Sequence, residues 1–213
     1  MIKEAIKKLV AGNDLTFDEA AQVMDEMFSG TATQSQMAAY LTALRIKGET
    51  IDEITASAQV MREKALHIKP NRDVLDIVGT GGDGTGTFNI STTAVFIIAA
   101  AGIPVAKHGN RSMSSKSGSA DCLEQLGINI NISPEKSEEV LNKAGICFMF
   151  AQGYHSSMKY VGPARKEIGI RNIFNVLGPL TNPAFASTNI IGVYDKKLVE
   201  PLAKVLSNLG TKR

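Results

Sequence analysis

Residues 74–92 read VLDIVGTGGDGTGTFNIST, and their order decides the fold. The run Val74-Leu75-Asp76-Ile77-Val78 has the length and apolar content of a buried strand and is delivered into Gly79. Glycines at 79, 81, 82, 84 and 86 make the link that follows, and residues 91–101 then read as a buried helix closed by Gly102. Ile103-Pro104-Val105-Ala106 is a second short strand, which completes a βαβ unit. Further along, residues 119–126 read as helix, 128–132 as a short extended segment, 133–135 as a helix start and 146–151 as a strand. Residues 188–194 form one more strand and 198–209 one more helix. This alternation predicts an α/β domain with a mostly parallel sheet.

Working backward, the pattern changes. Ile2, Ala5, Ile6, Leu9 and Val10 recur at helical spacing before the Gly12-Asn13-Asp14 stop. Thr16 with Glu19, Thr33 with Gln36 and Thr50 with Glu53 each have the spacing of a capping box, and each precedes an apolar periodic stretch. Four helices are therefore expected before residue 66, with Met-rich stripes that fill a core or a subunit interface. The predicted organisation is a helical domain over 1–66, a linker over 67–73 and an α/β domain over 74–213, with 154–185 packing on the helical part. The α/β domain is expected to be incomplete, because a final helix ordinarily leads back to the sheet.

The chain has 213 residues, roughly 1.4 times the usual 150 per domain, which suits neither one compact unit nor two complete ones. Hydrophobic residues are 44% and charged residues 21%, and 23 Lys and Arg against 21 Asp and Glu leave a net charge of +2. That composition excludes general disorder and a broad basic footprint for nucleic acid or anionic membrane, so any anion site must be local. Cys122 and Cys147 lack the spacing of a disulfide scaffold or a zinc site and read as free thiols in a reduced, cytoplasmic setting. The longest apolar run is too short and too interrupted by Gly and Pro to span a bilayer.

Two segments concentrate polar chemistry. In GTGGDGTGTFNIST (79–92) the glycines can aim several N–H groups at one anion, and Asn89, Ser91 and Thr92 stand where a helix start favours phosphate. The spacing is neither the dinucleotide fingerprint nor the P-loop, and a flexible structural turn is the competing role. Asp83, the only acid there, suits a ribose hydroxyl or a cation, or else stabilises an Asx-turn. In KHGNRSMSSKSGSAD (107–121), leaving a strand that ends at Ala106, Lys107, Arg111 and Lys116 bring charge and Ser112, Ser114, Ser115, Ser117 and Ser119 bring hydroxyls. A solvated loop or a nucleic-acid contact would use similar residues, but no aromatic stacking series accompanies them. Two such loops, each following a strand, point to one diphosphate-bearing ligand beyond the strand ends. His108 serves as base or as an orienting donor. In VGPARKEIGIRNIFNVLGPLTNP (161–183), Arg165 or Arg171 can fork a carboxylate, or form a structural ion pair.

These three segments, in order and spacing, closely resemble the diagnostic segments of the anthranilate phosphoribosyltransferase family. The resemblance implies a small helical domain joined to a larger α/β domain, a homodimer formed through the helical part, and transfer of phosphoribosyl from 5-phosphoribosyl 1-diphosphate to anthranilate with Mg2+. It implies that Gly79, Gly82, Asp83, Thr87, Asn89, Ile90, Ser91 and Thr92 surround the donor, with Ser91 also touching Mg2+. Lys107, His108, Gly109, Asn110, Arg111, Ser112, Met113, Ser114, Ser115 and Ser119 look like its second cradle. Gly79, Asn110 and Arg165 look like anthranilate contacts, which prefers Arg165 to Arg171, and Lys107, His108 and Arg165 are the implied catalytic set. The family's downstream Asp-Glu pair for magnesium has no counterpart in these residues. Competing assignments are a pyrimidine nucleoside phosphorylase-like enzyme of the same architecture and a noncatalytic nucleic-acid-binding or structural relative.

Overall fold

The computed structural model describes residues 1–81, 86–112 and 117–213. In chain order, four helices come first: α1 (Ile2–Val10), α2 (Phe17–Phe28), α3 (Gln34–Lys47) and α4 (Ile51–Glu63). Then follow β1 (Leu75–Gly79), α5 (Ile90–Ala100), β2 (Val105–Gly109), α6 (Ser119–Gln125), α7 (Pro134–Ala144) and β3 (Ile146–Phe150). The short α8 (Ala151–Tyr154), α9 (Met158–Ile168), α10 (Phe174–Leu180), β4 (Thr188–Gly192) and α11 (Val199–Asn208) complete the order. The chain divides into two compact units, one of Met1–Ala65, His155–Thr181 and Pro201–Leu209, the other of Leu66–Tyr154, Asn182–Glu200 and Gly210–Arg213.

The first unit is helical. Thr16, Thr33 and Thr50 each accept from the amide three residues on at 3.2 Å, while Glu19, Gln36 and Glu53 reach back to the threonine amides at 2.7, 2.8 and 2.7 Å. Each box satisfies two amides that a helix start leaves without partners, so sequence alone sets where α2, α3 and α4 begin. Met24, Met27, Met37, Tyr40, Leu41, Leu44, Leu177 and Leu180 fill the interior. Polar clamps hold later segments to the early helices. Gln34 donates to Tyr160 O and accepts from Ala164 N, both at 2.8 Å, and Arg62 donates to Leu180 O at 2.7 Å and Leu209 O at 3.1 Å. Glu53, fully buried, accepts from Leu15 N, Lys47 Nζ and Thr50 N.

The second unit is a four-stranded parallel sheet in the order β3-β2-β1-β4. β1, β2 and β3 step one way across the sheet, and β4 returns to the other side of β1, so the strand order reverses beside β1. One core packs Val95 of α5 against Leu75, Ile77 and Val105; another gathers Val74, Ala106, Leu141, Cys147, Met149 and Tyr154. Phe150, Ala120, Leu123 and Ile130 form a third, beneath α6.

Three expectations change. β2 runs to Gly109 instead of ending at Ala106, because residues 105–109 keep full parallel register with β3 from Val105↔Ile146 to Gly109↔Phe150. Lys107 and His108 therefore stand on a strand and not in the loop. Residues 128–132 carry no strand; they pass Ile130 into the core without a ladder partner. α5 is not buried all round: Thr92 and Val95 are its buried positions, while Phe96 is 41% and Ile97 69% exposed, since only one face meets the sheet.

Candidate functional site

The first loop is rooted in the sheet. Gly79, in register with Gly192, ends β1; Thr80 N donates to Gly192 O at 2.9 Å and Tyr194 N donates to Thr80 Oγ1 at 3.1 Å. Gly81 and Gly86 have φ of 68° and 66°, a conformation that side chains disfavour and that lets the backbone turn sharply. Thr87 is exposed and Ile90 begins α5, whose start is not capped by the side chain of Asn89. That residue's Nδ2 instead donates to Ser117 Oγ of the second loop at 3.2 Å. Ser91 and Thr92 lie in the first turn of α5, where amides and dipole attract an anion. Gly82 and Asp83 lie outside the described residues.

The second loop starts from β2. Gly109 is fixed by close approach, because a methyl group there would collide with Ser119 Oγ and come within 2.7 Å of the Phe148 ring. Asn110, exposed, accepts from Arg111 N through Oδ1 at 2.8 Å, and its carbonyl accepts from Ser119 Oγ and Ala120 N at 3.2 Å each. Asp121 staples the loop shut: its Oδ2 accepts from Ser112 N at 3.1 Å and Gly118 N at 2.8 Å. These amides, led by that of Gly118, hold the Asp121 carboxyl below its ordinary value. Met113, Ser114, Ser115 and Lys116 lie outside the described residues.

Two of the charges expected to face an anion, Arg111 and Lys107, are engaged elsewhere. Arg111 forks Glu124 at 2.5 and 2.9 Å, reaches Asp121 at 2.9 Å, and lies over the Phe150 ring. Lys107 is 3% exposed, and its Nζ donates to Ile77 O at 2.6 Å. Burial lowers the Lys107 pKa, with Asp76 opposing. Asp76, fully buried in β1, has its carboxyl pushed up to about 6 by burial, against the pull of Lys107 and the hydrogen bonds from Asn182 and the His108 amide. His108 is buried, its amide donating to Asp76 Oδ1 at 3.2 Å. Among the described residues of the two loops, backbone amides and hydroxyls are the donors these side-chain charges leave over.

Arg165 belongs to the helical unit and the loops to the sheet unit. It is half-buried in α9 with its guanidinium 5.0 Å from the Phe174 ring centroid, and burial lowers its pKa. No carboxylate among the described residues pairs with it, unlike Arg111, so its fork is available for a ligand. Arg171 is exposed beyond the end of α9. Asp76, Asn182 and Asp121 escaped sequence reasoning. The signal for Asp76 was a lone acid inside the apolar run VLDIV; Asn182 reads as turn punctuation and Asp121 as one more polar loop residue.

A capped helical bundle followed by an all-parallel sheet, with two polar loops at the ends of adjacent strands, is an α/β architecture whose strand ends are the usual place for a ligand. Residues 71–213 match the glycosyl transferase family a/b domain, and residues 3–65 match the helical bundle domain of the same family; the chain belongs to it. It is similar to the anthranilate phosphoribosyltransferases of Endomicrobium trichonymphae, 63% identical over 213 residues, and Ruminiclostridium cellulolyticum, 61% identical. Both alignments take in 100% of this chain but 63% and 62% of the relative, so the chain spans under two thirds of their length. The crystal structure of the Thermus thermophilus anthranilate phosphoribosyltransferase matches with a TM-score of 0.93 at 45% identity, over 97% of this chain and 63% of that one. The Saccharomyces cerevisiae enzyme in complex with PRPP and Mg matches at 0.92 and 28% identity, over 99% and 63%.

Proposed function

We propose that this chain carries the donor site of a phosphoribosyl transfer from 5-phosphoribosyl 1-diphosphate to anthranilate, as the names of its relatives state for them. The carrying observation is the bond from Asn89 Nδ2 to Ser117 Oγ, which joins two amide-rich loops leaving adjacent parallel strands. A diphosphate has two anionic groups, and two such loops can take one each. In the reaction the bond from ribose C1 to the diphosphate oxygen breaks as the anthranilate nitrogen bonds to C1, and the nitrogen gives up a proton. Amides and hydroxyls of Gly79, Asn89, Ser91, Thr92, Ser112 and Ser119 would stabilise the charge on the departing group. Arg165 would hold the acceptor carboxylate, with Asn110 beside the donor. An aromatic amine is unprotonated near neutral pH, so His108 serves orientation and no strong base is required.

Mg2+ belongs to this proposal as a companion of the donor. Among the described residues no three His, Cys, Asp or Glu side chains gather to hold a cation, and Ser91 alone is not an octahedral magnesium site. The described residues do not fit the ion by themselves. We further propose a cytoplasmic homodimer that pairs through the helical unit. Support comes from Val10 and Ile46, 74% and 80% exposed there, and from the free, buried thiol of Cys147. No helix among the described residues is long and apolar enough to cross a membrane.

Isothermal titration of the chain with 5-phosphoribosyl 1-diphosphate and Mg2+, beside thymidine, uridine and duplex DNA, tests the reading. Saturable heat with the donor alone supports it. Binding of a pyrimidine nucleoside in its place assigns a phosphorylase, and salt-dependent DNA binding without donor binding assigns a nucleic-acid partner.

A further inference from the structure

β1 and β2 are neighbours in the sheet, yet they are registered at Leu75↔Val105 alone, whereas β1 with β4 and β2 with β3 hold register along five positions. The ladder that begins with Leu75 N donating to Pro104 O would continue with Ile77 N on Ala106 O and His108 N on Ile77 O. Side chains take those places. Ala106 O accepts from Asn182 Nδ2 at 2.8 Å, His108 N donates to Asp76 Oδ1 at 3.2 Å, and Ile77 O accepts from Lys107 Nζ at 2.6 Å. The same Asn182 Nδ2 donates to Asp76 Oδ2 at 2.7 Å, and its Oδ1 accepts from Ala184 N at 2.8 Å, which fixes the amide's orientation. A buried polar group persists only where it is satisfied, and here the satisfaction is mutual.

This wedge sits between the two strands whose ends, Gly79 and Gly109, launch the two loops. We propose that Asp76 and Asn182 are positioning residues for the donor's diphosphate: by replacing the ladder between β1 and β2 they set the spacing of the strand ends, and so the gap between the loops. The proposal rests on the donor reading above. Neither residue touches the ligand; both act through the backbones of Ile77, Ala106 and His108.

The test titrates inorganic diphosphate into the chain, its Asp76→Asn variant and its Asn182→Ala variant. Thermal midpoints are recorded alongside. Affinity should fall at least tenfold in each folded variant. A merely structural role lowers the thermal midpoint and leaves affinity unchanged, and that result overturns the proposal while the donor reading stands. Should Asp76→Asn not fold, Asn182→Ala, which keeps the Asp76 bond to the His108 amide, is judged by the same criterion. If the unaltered chain binds no diphosphate, the donor reading fails and takes the proposal with it.

Discussion

Replacing Asp121 by Ala removes the acceptor that closes the second loop. Its carboxylate takes Gly118 N at 2.8 Å, Ser112 N at 3.1 Å and Arg111 Nη1 at 2.9 Å. Hydrogen bonds to an ionised acceptor contribute about 1.5–3 kcal/mol each when buried, but this side chain is 33% exposed and water replaces part of each bond. Arg111 keeps its fork to Glu124, so the loss falls on the two amides, at about 1 kcal/mol each. A local opening made easier by about 2 kcal/mol exchanges its amide hydrogens roughly 30-fold faster. Hydrogen exchange at Ser112 and Gly118 should show that acceleration, with amides in the core of β3 unaffected. The carboxyl is held below its ordinary value, so its stabilisation is present above the unfolded pKa of about 3.9 and is lost as pH falls through the lower folded value. The difference between the two proteins should therefore vanish in strong acid. Equal exchange at neutral pH would falsify the view that Asp121 shapes the loop.

Thr50→Ala should lower the stability of the helical unit by about 1 kcal/mol in urea titration, and Thr50→Ser should restore it, since the capping oxygen is what matters. For Asp76, raised to about 6 by burial, the folded state binds the proton more tightly than the unfolded chain does, so stability falls as pH climbs from about 4 to 6, by about 3 kcal/mol. Lys107, Cys147 and His108 are the titratable groups around it; Asp76→Asn should flatten that slope, and an unchanged slope places the titration elsewhere. Arg165→Ala should weaken anthranilate binding at least tenfold, read from ligand fluorescence, while diphosphate binding is kept; equal anthranilate affinity removes Arg165 from the acceptor site.

Local chemistry made much of this fold legible. The three capping boxes place α2, α3 and α4, because a threonine hydroxyl and a carboxyl or amide three residues later need no tertiary partner to find each other. Strand β1 and the helix after its glycines could also be read, since period and glycine punctuation are local signals. The length of β2 was not, because Lys107 and His108 look like loop residues until pairing with β3 and burial beside Asp76 hold them in the sheet. Arg111 illustrates a related limit: its guanidinium reads as a phosphate ligand, yet α6 brings Glu124 to it across 13 positions. Glycine has the same two faces. Gly81 is required by its positive φ, whereas Gly118, in extended backbone, is required because a methyl group would meet Arg111 and Asn110 backbone at 2.6 and 2.8 Å.

In the proposed site one diphosphate-bearing donor is held by both loops together. Amide NMR during titration with 5-phosphoribosyl 1-diphosphate in the presence of Mg2+ decides whether the two loops share that ligand. The first-turn amides of α5 at Ser91 and Thr92 and the loop amides at Ser112 and Gly118 should shift with one common dissociation constant, together with the side-chain amide of Asn89. Shifts confined to one loop, or two loops saturating at different concentrations, contradict a shared site.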